Sequence, residues 1–317
     1  MASNEIEILD PTATVGKLKK IAAGRALNRR HFIAALGMTG AAAGAELVSG
    51  CSTTSSTPVS TTASTGQVNV LNFALNLEFL EATYYSFITQ GTDLTGSAVV
   101  GSGAITNAPG KLTFSGTNAA QITDMLNEIY FDEKNHVSTL LSLVGSSAIT
   151  RPAINLGAFG TINATNALSI ARLFEDVGVT AYTGAVTALS NSDLTFAVQI
   201  LGVESFHSGA LRLTSIQNPT IAVYTQADSL DVPPADIGAT VATTGPTGAG
   251  GFFATAGAAS STLTTPQGFP FLRTTSQVLS ILYGSVASGG TAVSLAGSGT
   301  TSGGFFPSGV NGVIKSV

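Results

Sequence analysis

The chain has one cysteine, Cys51, and no tryptophan in 317 residues, and only 10% of its positions are charged. A lone thiol excludes an intramolecular disulfide and any iron-sulfur cluster held by cysteines. Basic residues are scarce and uneven. Six of the 13 precede Cys51, and from Cys51 onward seven basic side chains face 14 acidic ones, a formal charge of -7. That balance argues against a nucleic-acid partner. Long apolar runs are also missing: no stretch of about 20 uninterrupted apolar residues follows Cys51, so no membrane-spanning helix is expected there. The 44% hydrophobic content and mean hydropathy of +0.36 therefore imply a large buried core. Histidine is also scarce, with only His31, His136 and His207.

The first histidine lies in an address. Asn28-Arg29-Arg30-His31-Phe32-Ile33 resembles a twin-arginine export motif, and the mild apolar run from Phe32 to Ala45 is too short to span a bilayer. Leu47-Val48-Ser49-Gly50-Cys51 resembles a bacterial lipobox with Cys51 as the acylated residue, although Glu46 is an unusual charge so near the cleavage point. Residues 1–50 are thus expected to be a signal. Residues 51–66, dominated by Ser and Thr, cannot bury enough apolar surface to fold and read as a tether. Export to the periplasm or cell envelope, with membrane attachment through an N-terminal lipid, is the expected localisation.

Four helices are predicted within 67–216, at about Val68–Gln90, Asn118–Val144, Ala164–Leu189 and Asp193–Ile216. The first is apolar almost all round, interrupted by Glu78 and Glu81. The remaining histidines each follow a glutamate by three residues, in Glu133-Lys134-Asn135-His136 and Glu204-Ser205-Phe206-His207. On a helix this spacing puts carboxylate and imidazole on one face. From Cys51 onward there are six glutamates in 267 residues, so chance would place one before both histidines only about 5 times in ten thousand.

An internal repeat extends the pattern. Tyr85 follows Glu78 by seven residues and Tyr182 follows Glu175 by seven, with Thr83 and Thr180 in the same register. The two halves align if about 26 residues, Gly91–Gly116, are inserted in the first. This Gly/Ser/Thr-rich insert reads as an irregular loop or small hairpin. The register pairs Glu78 with Glu175 and leaves Glu81, one turn on, as a carboxylate behind the ligands or a switching ligand. Asp132 and Asp176 are expected about 100° around their helices from the neighbouring glutamates, facing solvent or supporting a ligand. Residues 145–163 can stretch about 60 Å, enough for a crossover along a helix of about 40 Å. The last hundred residues, 217–317, read as an irregular extension with one short helix at Thr275–Tyr283 and no further ligand cluster.

One Glu from each of two helices and Glu-x-x-His from the other two resembles the ferritin-like di-iron carboxylate superfamily. The wording LNFALNLEFLEATYYSF and ILGVESFHSGALR, within Val68 to Leu213, and GGFFPSGVNG at 303–312 resemble more narrowly the bacterial exported ferritin-like proteins related to the plant desiccation-related group. The resemblance implies an all-α ferritin-like four-helix bundle with a long crossover, holding two Fe or Mn ions on Glu78, Glu133, His136, Glu175, Glu204 and His207, with Glu81 nearby. Tyr85 and Tyr182 are the expected radical, electron or hydrogen-bond partners. The leading expected function is an oxidoreductase acting on O2, peroxide or Fe(II). The alternative is a non-catalytic desiccation- or stress-protective envelope protein with a structural or vestigial metal site. A storage cage fits less well with a tether and a long extension, although oligomers remain compatible.

Replacing Arg29 and Arg30 together by Lys should leave the precursor in the cytoplasm, and Cys51→Ser should free the exported protein from membranes. Unchanged membrane fractionation of both variants would reject the address.

Overall fold

The computed structural model describes residues 65–96, 101–218, 272–286 and 293–317. The export motif, Cys51, the tether and most of the stretch between the bundle and the last short helix lie outside the described residues. Four long helices, α1 (Thr65–Gln90), α2 (Ala119–Val144), α3 (Ala167–Ala185) and α4 (Asn191–Gln217), form the bundle. α1 packs mainly on α2 and α3 on α4, while α1 also meets α3 and α2 meets α4. The four helices thereby enclose a common interior. A short helix, α5 (Thr275–Leu282), follows in the extension.

Helix ends follow local chemistry. α2 stops at Gly145, whose φ of 61° suits glycine and whose N–H donates to the Leu141 carbonyl. The third helix is shorter than its apolar pattern predicts, because the chain tightens into a 3-10 turn at Val186–Ala188. α5 starts with a capping box: Thr274 Oγ1 accepts from Gln277 N–H and Gln277 Oε1 accepts from Thr274 N–H.

α1 is buried without a break from Leu71 to Ser86. Its buried asparagines find partners outside the bundle, as buried polar groups need partners somewhere. Asn72 donates to Ser147 O and accepts from Ile149 N–H, while Asn76 donates to Asn311 O and accepts from Asn311 N–H. The crossover and the C-terminal end therefore cover the outer side of α1.

The insert is a loop, but its one short strand pairs outside it. β1 (Ile105–Thr106) runs parallel to β2 (Ile154–Asn155) of the crossover. Arg151, 3% exposed, adds a bidentate bond to Asp93 at 2.6 and 2.8 Å and tethers the insert to the crossover. The extension closes over this region. Two residues of β3 (Ser285–Val286) pair antiparallel with β4 (Val293–Ser294). Gly304, at φ 49°, packs so tightly beneath the Leu282 and Gly284 carbonyls that a Cβ would collide with them. Its tight turn sends the fully buried Phe305 against Phe159 and Phe174, with ring centroids 4.7 and 5.0 Å apart.

A similar close approach seats the extension on α3, where a Cβ on Gly184 would strike the Arg273 carbonyl oxygen. Gly184→Ala should therefore destabilise the protein by about 1–3 kcal/mol, despite the better helix propensity of alanine. Thermal unfolding checks this, and a melting temperature equal to or above wild type would show that the extension is not seated there.

Candidate metal centre

Each of the four bundle helices contributes to one buried polar cluster. Glu78 comes from α1, Glu133 and His136 from α2, Glu175 from α3, and Glu204 and His207 from α4. Five of the six are 0% exposed, and His136 is 7% exposed. The i, i+3 spacing brings each histidine over its own glutamate, and interhelical packing brings the two pairs face to face.

The donor atoms fall into two groups, each within 4.8 Å across. Glu78, Glu133, His136 and Glu204 form one group, and Glu133, Glu175, Glu204 and His207 the other. Glu133 and Glu204 belong to both. His136 Nδ1 lies 3.2 Å from Glu78, 3.3 Å from Glu133 and 3.4 Å from Glu204. His207 Nδ1 lies 3.0 Å from Glu133 and 3.1 Å from Glu175. Both imidazoles therefore aim the same ring nitrogen at the carboxylates.

Supporting groups surround these donors. His207 presents its other nitrogen, Nε2, to Asp132 Oδ2 at 3.1 Å, which sets the ring's orientation. The residue preceding Glu204 is Val203, so the second Glu-x-x-His segment places no carboxylate at the position Asp132 holds in the first. The tyrosines cross over. Tyr85, on α1 with Glu78, donates to Glu175 Oε1 on α3, and Tyr182, on α3 with Glu175, donates to Glu78 Oε1, both at 2.5 Å. The repeat placed the two tyrosines in register, but their exchange of partners depends on how the helices face one another.

Glu81 is buried yet belongs to neither donor group. It lies beside Gly178, with Oε1 3.4 Å from where a Cβ would stand, and that Cβ would also collide with Glu204 Oε2. Glycine at this point makes room for the Glu204 carboxylate. Asp176 is buried on the other side of α3, where it accepts from Ser208 Oγ at 2.5 Å and lies 3.5 Å from Arg172 Nε. Asp132 thus supports a proposed ligand directly, whereas Asp176 belongs to a separate buried network rather than to solvent.

The electrostatics of the protein without ions are those of a site short of positive charge. Burial pushes Glu204 and Glu81 well above the ordinary carboxylate range, and neighbouring carboxylates push them further. Burial and the charges of Glu78 and Glu175 raise Glu133 to about 7. Burial also opposes ionisation of Glu78, but His136 beside it outweighs this and lowers its pKa. Burial alone would discharge the imidazoles, yet Glu175 and Glu133 hold His207 up to about 12, and Glu78, Glu133 and Glu204 raise His136. The tyrosine hydroxyls are driven upward by burial and by their glutamate partners, so Tyr85 and Tyr182 stay neutral donors.

Unsatisfied atoms mark where cations fit. In the two shared residues, Glu204 Oε2 is buried with no partner among the described residues, while Glu133 Oε1 and Glu204 Oε1 each have only an imidazole nitrogen near them, at 3.0 and 3.4 Å. A buried carboxylate oxygen without a donor is costly, and a divalent ion would satisfy it. Carboxylate and imidazole donors without thiolate suit iron, manganese or zinc. Glu78, Glu133, His136, Glu175, Glu204 and His207 are the residues that would hold such ions.

Residues 66–217 match the family model described as a ferritin-like domain. No curated protein and no solved structure matches the chain. The architecture is accordingly an all-α ferritin-like bundle, with the extension lying beyond the matched residues.

Asp132→Asn keeps the shape but removes the carboxylate that orients His207. Metal affinity should fall about 10–100-fold, measured by competition with a chelator of known affinity. Unchanged affinity would show that this contact plays no part in holding metal.

Proposed function

We propose that this protein is an exported, lipid-tethered di-metal carboxylate protein whose two iron or manganese ions act on O2, peroxide or Fe(II). The reading rests on one observation above others. The two donor groups share Glu133 and Glu204, buried carboxylates that have only imidazole nitrogens near them, with Glu204 Oε2 left without any partner among the described residues. When bound there, iron or manganese supplies redox cycling that carboxylate and imidazole groups cannot provide alone.

The chain's own residues hold protons and orientation around that chemistry. Tyr182 donates its hydroxyl proton in a hydrogen bond to Glu78 Oε1, and Tyr85 does the same to Glu175 Oε1. Each hydroxyl restrains its glutamate and can donate a hydrogen bond as charge changes at the centre. Asp132 keeps His207 aimed inward from the protein surface, being partly exposed itself. The apolar helices exclude bulk water, which strengthens every interaction among the charged groups. Binding of cations must displace the protons held by Glu133, Glu204 and the two imidazoles, so affinity should strengthen as pH rises.

The export address supports a location in the periplasm or cell envelope. No described helix is long and apolar enough to cross a membrane, which is compatible with attachment through Cys51. The near-complete burial of all six donors favours a second reading, a protective envelope protein whose ions serve structure alone.

Turnover separates the two. Protein loaded with Fe(II) and exposed to O2, or loaded with manganese and given H2O2, should consume oxidant repeatedly and lose that activity in Glu133→Ala. Two bound ions with no more than one stoichiometric event would reject catalysis in favour of the structural role. A purified protein from its native compartment with neither metal would remove both.

A further inference from the structure

A second feature lies beyond the metal donors, between the bundle and the extension. A cavity of about 110 Å³, open on one side, is bordered by α1, α3 and α5. Phe73, Leu77, Tyr182 and Val278 form its buried inner walls, and Ala188 and Thr274 stand exposed at its rim. Its surface is mostly apolar. Three of the polar groups reaching it are engaged with protein, and Thr275 stands beside them: Tyr182 donates to Glu78, Arg273 Nη1 donates to Thr180 Oγ1, and Thr274 Oγ1 caps α5. The space exists because α3 presents Ala181, Gly184 and Ala185 to it, so that no long side chain fills the gap.

We propose that this cavity binds a small, uncharged monocyclic aromatic molecule and seats it against Tyr182. Three observations carry the assignment. The volume approaches that of the roughly 150 Å³ apolar cavity known to take benzene in another protein, which limits the occupant to about one ring. Two aromatic side chains, Phe73 and Tyr182, supply ring surfaces for edge or offset contact. The wall carries one charge, Arg273, whose Nη1 donates to Thr180 Oγ1 and whose charge already faces Asp176, so an ionised ligand would have to compete with partners in place and give up its own hydration. Tyr182 is the one side chain that both lines this cavity and bonds a metal-donor glutamate. The occupant thus sits one residue away from the proposed centre. Binding itself does not depend on the metal reading; only that proximity to a metal does.

The probe is fluorobenzene, added to the full-length, metal-free protein and followed by fluorine NMR. Saturable binding with a Kd of about 1 mM or tighter is expected. The ring signals of Tyr182, assigned by their loss in Tyr182→Phe, should shift as the site fills. Ala185→Leu places a larger side chain in the cavity and should weaken binding at least about tenfold. Should that variant fail to fold, Ala188→Leu at the exposed rim serves the same purpose. Benzoate should not bind. Absence of saturation, unshifted Tyr182 signals, full affinity in a folded filled variant, or tighter binding of benzoate would each overturn the proposal. Because these measurements use metal-free protein, failure of the metal reading would leave their outcome unaffected.

Discussion

Mutual repulsion among buried carboxylates is the constraint around which this fold is arranged. Glu78, Glu81, Glu133, Glu175 and Glu204 all lie inside an apolar bundle, where an unpaired ionised group carries a penalty of several kcal/mol. Two imidazoles and two phenols meet part of this demand by charge and hydrogen bonding. They leave Glu204 Oε2 without a partner among the described residues. The long helices, their close approach at Gly178 and the covering loops all serve to hold this unfavourable set in place until cations can neutralise it.

The six proposed donors were legible because a helix turns predictable spacing into predictable direction. Glu133 with His136, and Glu204 with His207, needed only the rise of one turn to share a face. The repeat register also separated Glu78 from Glu81, and the geometry groups Glu78, not Glu81, with His136. What could not be read was anything requiring the relative rotation of two helices. Asp132 lies well around α2 from Glu133 by simple geometry, yet a neighbouring helix delivers His207 to it. Asp176 meets Ser208 for the same reason.

The closing segment was opaque for a different reason. Nothing in Gly303–Gly312 has a helical or strand period, so its role depends on turns and long-range contacts. In the structure Gly304 permits a close passage beneath two carbonyls, and Phe305 and Phe306 are fully buried. Asn311 then reaches back to Asn76, 235 residues earlier in the chain. Such contacts explain how the described C-terminal residues cover α1.

The crossed tyrosines make the two halves of the repeat mutually dependent. Glu78, Tyr85, Glu133 and His136 belong to the first half, while Glu175, Tyr182, Glu204 and His207 belong to the second. Each donor group draws on both, and each tyrosine serves the opposite half's glutamate. A helical hairpin cut from either side would carry a carboxylate and a phenol lacking their proper mates. The arrangement therefore works as a lock between the two halves: neither can be removed without dismantling the cluster in the other.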